Sequence, residues 1–175
     1  MSTDNARKPL IAKLYQTYLE SHDTLTLLDG LSRHYSPGTL ERLVAHAHCE
    51  VRRAAALGLG HLGDYSANHA LGRALLDDDR TVRTLAESAI RKIWLRVGTE
   101  AQRRKLALMA RLNTARQYRE VVRIAAPFLE EAPHLAEAWS QRATAMFHQE
   151  HYPEAIRDCH EALEINPYHF LAATT

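Results

Sequence analysis

Eleven histidines, two cysteines and the run Gly58-x-Gly60-x-x-Gly63 are the residues of this chain whose types and spacing bear on chemistry. A G-x-G-x-x-G run followed by acids, here Asp77 and Asp78, is how a tight turn and a helix N-terminus hold a dinucleotide pyrophosphate. That geometry needs a strand arriving at the first glycine, whereas VRRAAAL is a helical run that reaches the glycines from inside. The expectation is that Gly58 and Gly60 let neighbouring helices approach closely and that Gly63 ends the helix, each interior glycine costing ~1 kcal/mol in propensity. The pairs His46/His48 and His148/His151, and His160 beside Glu161, raise metal binding, but a site needs several convergent ligands with support behind them. A zinc-activated water at His148-x-Glu150 would need a Pro-Cys-x-x-Cys partner, which the sequence does not contain. No metal and no cofactor is expected. Cys49 and Cys159 lie in different halves and read as reduced, buried thiols. No P-loop and no nucleophile-base set stands out, so the chain is expected to be non-enzymatic.

Charge is unevenly placed. Residues 1–82 carry 9 basic and 10 acidic groups, residues 83–123 carry 11 and 3, and residues 124–175 carry 2 and 8. The basic middle, with Arg91, Arg96, Arg103, Arg104 and Arg111, is a candidate polyanion-binding stripe. Trp94 and Tyr118 are its only aromatics, which gives base stacking little support. Helical arginines more often form a solvated face, so nucleic acid is the secondary expectation.

The elements that must position these residues are helices. Apolar residues make up 46% of the chain and charged ones 25%, an ordinary globular balance, with only seven glycines and six prolines. No sheet is expected. The N-terminus lacks the pattern of a cleaved signal, and no apolar stretch approaches the ~20 residues of a membrane span, so a soluble, cytoplasmic chain is the expectation. Leu10, Leu14, Tyr15, Tyr18 and Leu19 form one predicted stripe, and Leu27, Leu28 and Leu31 another. Gly98 should end a helix, and Thr99 to Gln102 reads as a capping box opening the next, which sets a boundary between modules 1–98 and 99–175.

Two periods emerge on self-comparison. Residues 136–169 place Trp139, Ala143, Tyr152, Ala155, Ala162 and Pro167 as a tetratricopeptide (TPR) repeat does, and this unit resembles that family. A shift of 34 lays Leu112 on Met146, Tyr118 on Tyr152, Val122 on Ile156, Leu129 on Leu163 and Pro133 on Pro167, giving a diverged repeat from about 102 to 135. Pro127 falls inside its second helix, which should kink or end early. Residues 170–175 match the opening of a third repeat, so module 99–175 holds about two repeats and the start of another. Either the natural product continues, or another chain covers this end.

In the first half the period is 31, pairing Val51 with Val82, Arg52 with Arg83, Ala55 with Ala86, Leu59 with Ile90 and Leu62 with Ile93. With the acidic turn Asp77, Asp78, Asp79 ahead of Val82 and Arg83, this resembles the HEAT family, in particular the short form of phycobilin-lyase-type proteins. His46 and His48 stand where aspartates are usual, so the first copy should be less well capped. The resemblances imply an all-α superhelix of helical hairpins, and a lyase or a HEAT-type hydroxylase is disfavoured because no catalytic set can be named.

Both families imply a protein-protein interaction scaffold. In TPR proteins the first helix of each pair lines a concave groove, and the matching positions are Arg103, Leu106, Ala110, Asn113 and Thr114, then Glu137, Ser140, Thr144, Phe147 and His148. A protein or peptide partner is therefore expected there, with apolar contacts at Phe147 and Leu106. Head-to-tail pairing of the acidic C-terminal end with the basic middle of another copy is the expected route to a homo-oligomer.

Overall fold

A computed structural model describes residues 9–174, and every element in it is helical. The order is α1 (Leu10–Ser21), α2 (Thr24–His34), α3 (Pro37–Leu43), α4 (Cys49–Leu62), a 3-10 turn (Tyr65–Ala67), α5 (Asn68–Ala74) and α6 (Arg80–Trp94). There follow α7 (Glu100–Thr114), α8 (Tyr118–Glu131), α9 (Ala136–Phe147), α10 (Tyr152–Ile165) and α11 (Phe170–Thr174). The class is the all-α helical-repeat solenoid that the two periods imply. The chain divides between Ile93 and Trp94 into two compact units.

In the first unit the 31-residue register is visible in the core. Val51, Val82, Ala55, Ala86, Leu59 and Ile90 are all fully buried. Gly58 and Gly60 lie inside α4, and a Cβ on Gly60 would come within 3.1 Å of the backbone of Ala89 on α6. These glycines therefore serve helix packing. The predicted stripe on α1 holds in its middle, where Tyr15 is buried and Leu14 and Tyr18 are half-buried, but not at its ends: Leu10 and Leu19 are exposed, and Ile11 and Ala12 are buried instead. A 100° step per residue explains the error, since Leu10 and Ile11 compete for the same edge of the stripe and only one can face α4.

A ladder of arginines joins successive turns. Arg52 sends Nη1 to the carbonyls of His46 and Ala47 in its own turn, each at 3.0 Å, and its Nε and Nη2 grip both oxygens of Asp77 at 2.8 Å. One period later Arg83 repeats the first half of this pattern, donating to the carbonyls of Asp77 and Asp78 at 2.7 and 3.1 Å. Arg53 forks onto Asp79 in the same way as Arg52 onto Asp77, with Nε at 3.0 Å from Oδ1. Planar bidentate pairs of this kind hold geometry better than a point charge would.

Caps differ between the two copies as the substitution of histidine for aspartate implies. Asp79 accepts the Val82 amide at 2.9 Å, satisfying a free donor of α6. His48 precedes α4 without any side-chain cap bond, and the turn is held instead by the His48 amide donating to Nδ1 of His46 at 3.1 Å. The guanidinium of Arg53 and the α6 amides hold the Asp79 carboxyl down at about 2.

In the second unit the 34-residue period extends to the backbone. Arg116 and Glu150, one period apart, both adopt left-handed φ, 57° and 65°. The next amides, of Gln117 and His151, reach back to the carbonyls of Leu112 and Met146 at 2.9 and 3.0 Å. Both capping-box arms at Thr99 and Gln102 are present, behind Gly98 at φ 84°. The expectation for Pro127 needs correction on one count, because α8 does not end early but runs on to Glu131. Val121, Ala125, Phe128 and Leu129 bury the face on either side of the proline, and that burial outweighs the lost hydrogen bond.

Two stability outcomes follow. Replacing Asp79 by Asn, which can still cap α6 but removes the charge that Arg53 grips, should cost about 1 kcal/mol at pH 7. Because the folded carboxyl titrates below its unfolded value, the deficit relative to wild type is full above pH ~4 and shrinks as pH falls toward 2, which urea titrations at stepped pH measure. Conversely, His48→Asp should stabilise α4 by about 0.5–1 kcal/mol at neutral pH, read as a raised urea midpoint with unchanged slope.

Candidate functional site

Around the turns that join α7 to α8 and α9 to α10, four rings form a ladder in which Phe147, His148 and Tyr152 are exposed and Tyr118 is half-buried. Tyr118 opens α8 and stacks on His148, with centroids 4.6 Å apart and planes 15° apart. His148 meets Phe147 edge-on at 5.7 Å, and Phe147 meets Tyr152, the first residue of α10, at 5.6 Å. Phe147 keeps 41% and Tyr152 48% of their surface exposed. Exposed, mutually braced aromatics are the side chains that carry most energy when a partner docks.

Beside Phe147 lies an apolar cleft of about 460 Å³ floored by Ala155, Cys159 and Leu163 of α10 and walled by Ile156 and Ala172. Burial, then the charge of Asp158, pushes the Cys159 thiol up, so it stays protonated and acts as a small apolar surface. On the other side of the ladder, Tyr118, Arg119 and Gln149 line an open polar depression of about 510 Å³.

The N-terminal turn of α9 is enclosed by the segment that opens α11. Glu137 of α9 is buried and accepts from Nε2 of His169 at 3.0 Å and from the Gln141 side chain at 2.6 Å. The Ala172 amide donates to Nδ1 of His169 at 3.3 Å, so His169 is the Nε2-H tautomer and caps α11. His169 is 0% exposed and stacks on Trp94, with centroids 4.2 Å apart. Asn113 extends the chain of bonds, donating to the carbonyl and side chain of Gln141 at 2.9 and 2.7 Å.

The positions carried over from the TPR groove are thus divided. Leu106 is fully buried among Met109, Val121 and Phe128, so its expected contact with a partner is withdrawn. Ser140 and Glu137 are likewise buried. Arg103 is half-buried and turned onto the carbonyl of Gly98 at 2.6 Å, Asn113 is spent on Gln141, and Thr144 is half-buried with its hydroxyl on the Ser140 carbonyl. Of the ten positions, Thr114, Phe147 and His148 are exposed and Ala110 is half-buried. Position along a helix does not reveal which turns a neighbouring helix covers, and that is why the assignment was too broad. Tyr118 and Tyr152 were seen only as marks of the repeat; their 34-residue spacing was the signal that two rings stand at equivalent corners.

The arginine stripe is largely engaged locally. Arg91 pairs with Glu87 at 2.8 Å, Arg104 with Glu100, Arg123 with Glu120, and Lys105 with Glu131 at 2.6 Å. Arg96 and Arg111 are exposed. Among the described residues no three of His, Cys, Asp and Glu converge as a metal site would require, and no helix is long and apolar enough to cross a membrane.

Comparison with known families fits this geometry. The family model for HEAT repeats matches residues 36–127, from the start of α3 into α8, and that for the tetratricopeptide repeat matches residues 136–169, from α9 to the turn before α11. No curated protein and no solved structure was found to match. With the HEAT model spanning more than half of its length, the chain belongs to the HEAT-repeat family, and it continues into a tetratricopeptide repeat.

Proposed function

We propose that this chain is a non-enzymatic, cytoplasmic protein-protein interaction scaffold, with a HEAT-like module over 1–98 and a TPR module over 99–175. Repeats of both kinds commonly serve as interaction scaffolds, because stacked hairpins leave an extended surface without a cofactor or catalytic centre. The ligand is a peptide or helix of a partner, held in the concave groove of the TPR module. The observation that carries this reading is the ladder of half-buried Tyr118 and exposed His148 and Phe147 beside an apolar cleft. With Glu137 enclosed by His169, contact falls to the C-terminal end of α9, where Thr144 and His148 face the ligand.

The test is recovery of partners from a lysate of the source cells at low and at ~0.3 M salt, with nuclease-treated controls, since phosphate contacts weaken steeply with salt and groove packing does not. A protein partner that persists at the higher salt, and whose recovery falls at least about tenfold when Thr144→Arg and His148→Glu are combined, is the expected result. Recovery dominated by nucleic acid that vanishes with salt would overturn it in favour of the stripe at Arg91, Arg96, Arg103, Arg104 and Arg111.

A further inference from the structure

The corners at Arg116 and Glu150 lie one period apart, and comparing them separates what the fold needs from what it does not. Both take a left-handed φ, both are followed two residues on by a tyrosine, and the pair Glu120 and Arg123 recurs as Glu154 and Arg157. Two positions differ in kind: where Arg116 and Arg119 stand, the later copy has Glu150 and Pro153. The architecture of the turn therefore selects arginine at neither place. Arg119 is moreover the second residue of α8, where the positive end of the helix disfavours a cation.

Both arginines are exposed, and neither side chain has an ion pair or hydrogen bond among the described residues. Other cations of the basic middle are tied down: Arg91, Arg104 and Arg123 pair with glutamates on their own helices, and Lys105 with Glu131. Arg116 and Arg119 instead line one depression of about 510 Å³, together with Tyr118 and Gln149. Glu120 also borders it, but the guanidinium of Arg123 grips that carboxylate and holds it below the usual range. Gln149 spends its amide nitrogen on the Ala145 carbonyl at 3.1 Å. The depression thus offers a ligand two guanidinium groups that no carboxylate holds, each a planar fork of donors matched to an oxyanion.

A nucleic-acid strand needs positive charge tracked along its backbone and aromatic faces for its bases. Here Arg104 and Arg123 are bound to glutamates, and His148 covers one face of the Tyr118 ring. A short cationic site that adjoins the ladder at Tyr118 fits an acidic stretch of peptide better.

We propose that Arg116 and Arg119 hold neighbouring carboxylates in an acidic segment of the protein partner, beside the place where that partner meets Tyr118, His148 and Phe147. The inference rests on the scaffold reading and deepens it by naming the chemistry of the ligand at one end. Exposed ion pairs are individually modest, so this contact chooses the partner more than it holds it.

The probe is a fluorescently labelled peptide of six glutamates, with a hexaglutamine counterpart, titrated with the full chain by anisotropy in ~0.02 M salt. Saturable binding of the glutamate peptide is expected, weaker by about tenfold or more for hexaglutamine and for Arg116→Glu combined with Arg119→Glu. Glutamate already occupies the equivalent corner at Glu150, and an acid suits the first turn of α8, so the double variant should keep the wild-type circular dichroism. Lys13→Glu with Arg80→Glu makes the same change in charge in the other unit and should alter affinity less than about twofold. Absence of saturable binding, indifference to the Arg116 and Arg119 variant, or an equal loss in the Lys13 and Arg80 control overturns the proposal. So does a labelled DNA single strand that binds at least as tightly and depends on the same two arginines, because the site would then serve nucleic acid. The groove reading fails separately, if the Thr144 and His148 variant retains its lysate partner.

Discussion

A hairpin of two amphipathic helices has an apolar face on each side, and neither helix is wide enough to hide both. Within each unit a hairpin must therefore be covered by a neighbouring helix. α9 seals α8, and the glycines of α4 let α6 approach to contact distance at Ala89. Burial of small and medium side chains, not any single polar contact, supplies the driving force.

Polar interactions set the register within that constraint. Arg52 is bound at once to the carbonyls of its own turn and to Asp77 of the next, so one guanidinium fixes the spacing of two consecutive repeats. A slip of one repeat against the other would leave a half-buried arginine and a half-buried aspartate without partners, a cost larger than the modest net gain of the pair when formed. Arg83 preserves the part of this arrangement that is local to its own turn. The carboxylate half belongs to the neighbouring repeat, which shows that the two halves of the motif obey different constraints.

Much of the architecture was legible in the residues because repetition acts as an internal control. The pairs Val51/Val82 and Ala55/Ala86, the capping box at Thr99 and the poor cap at His48 could be read from spacing and known cap chemistry, and each has its counterpart in the structure. Where no second copy existed to fix the phase, as on α1, the ends of the stripe were misplaced. The candidate site was less legible, because exposure depends on contacts that skip along the chain. Leu106 and Phe147 both lie on first helices of hairpins, yet the former is in a core built with α8 and the latter lines an open cleft beside α10. The enclosure of Glu137 by His169, 32 residues away, has no signature in periodicity at all.

His169 has a consequence for how the end of the chain is held. One ring nitrogen donates to Glu137 and the other accepts from the Ala172 amide, while the ring plane lies flat on Trp94. A group in this position must be planar and must offer one donor and one acceptor on opposite edges, a combination that neutral imidazole supplies and that no carboxylate or ammonium can. The attachment of α11 is therefore a question of tautomer as much as of packing, and the indole of Trp94 is a resident optical gauge of whether that short helix is seated.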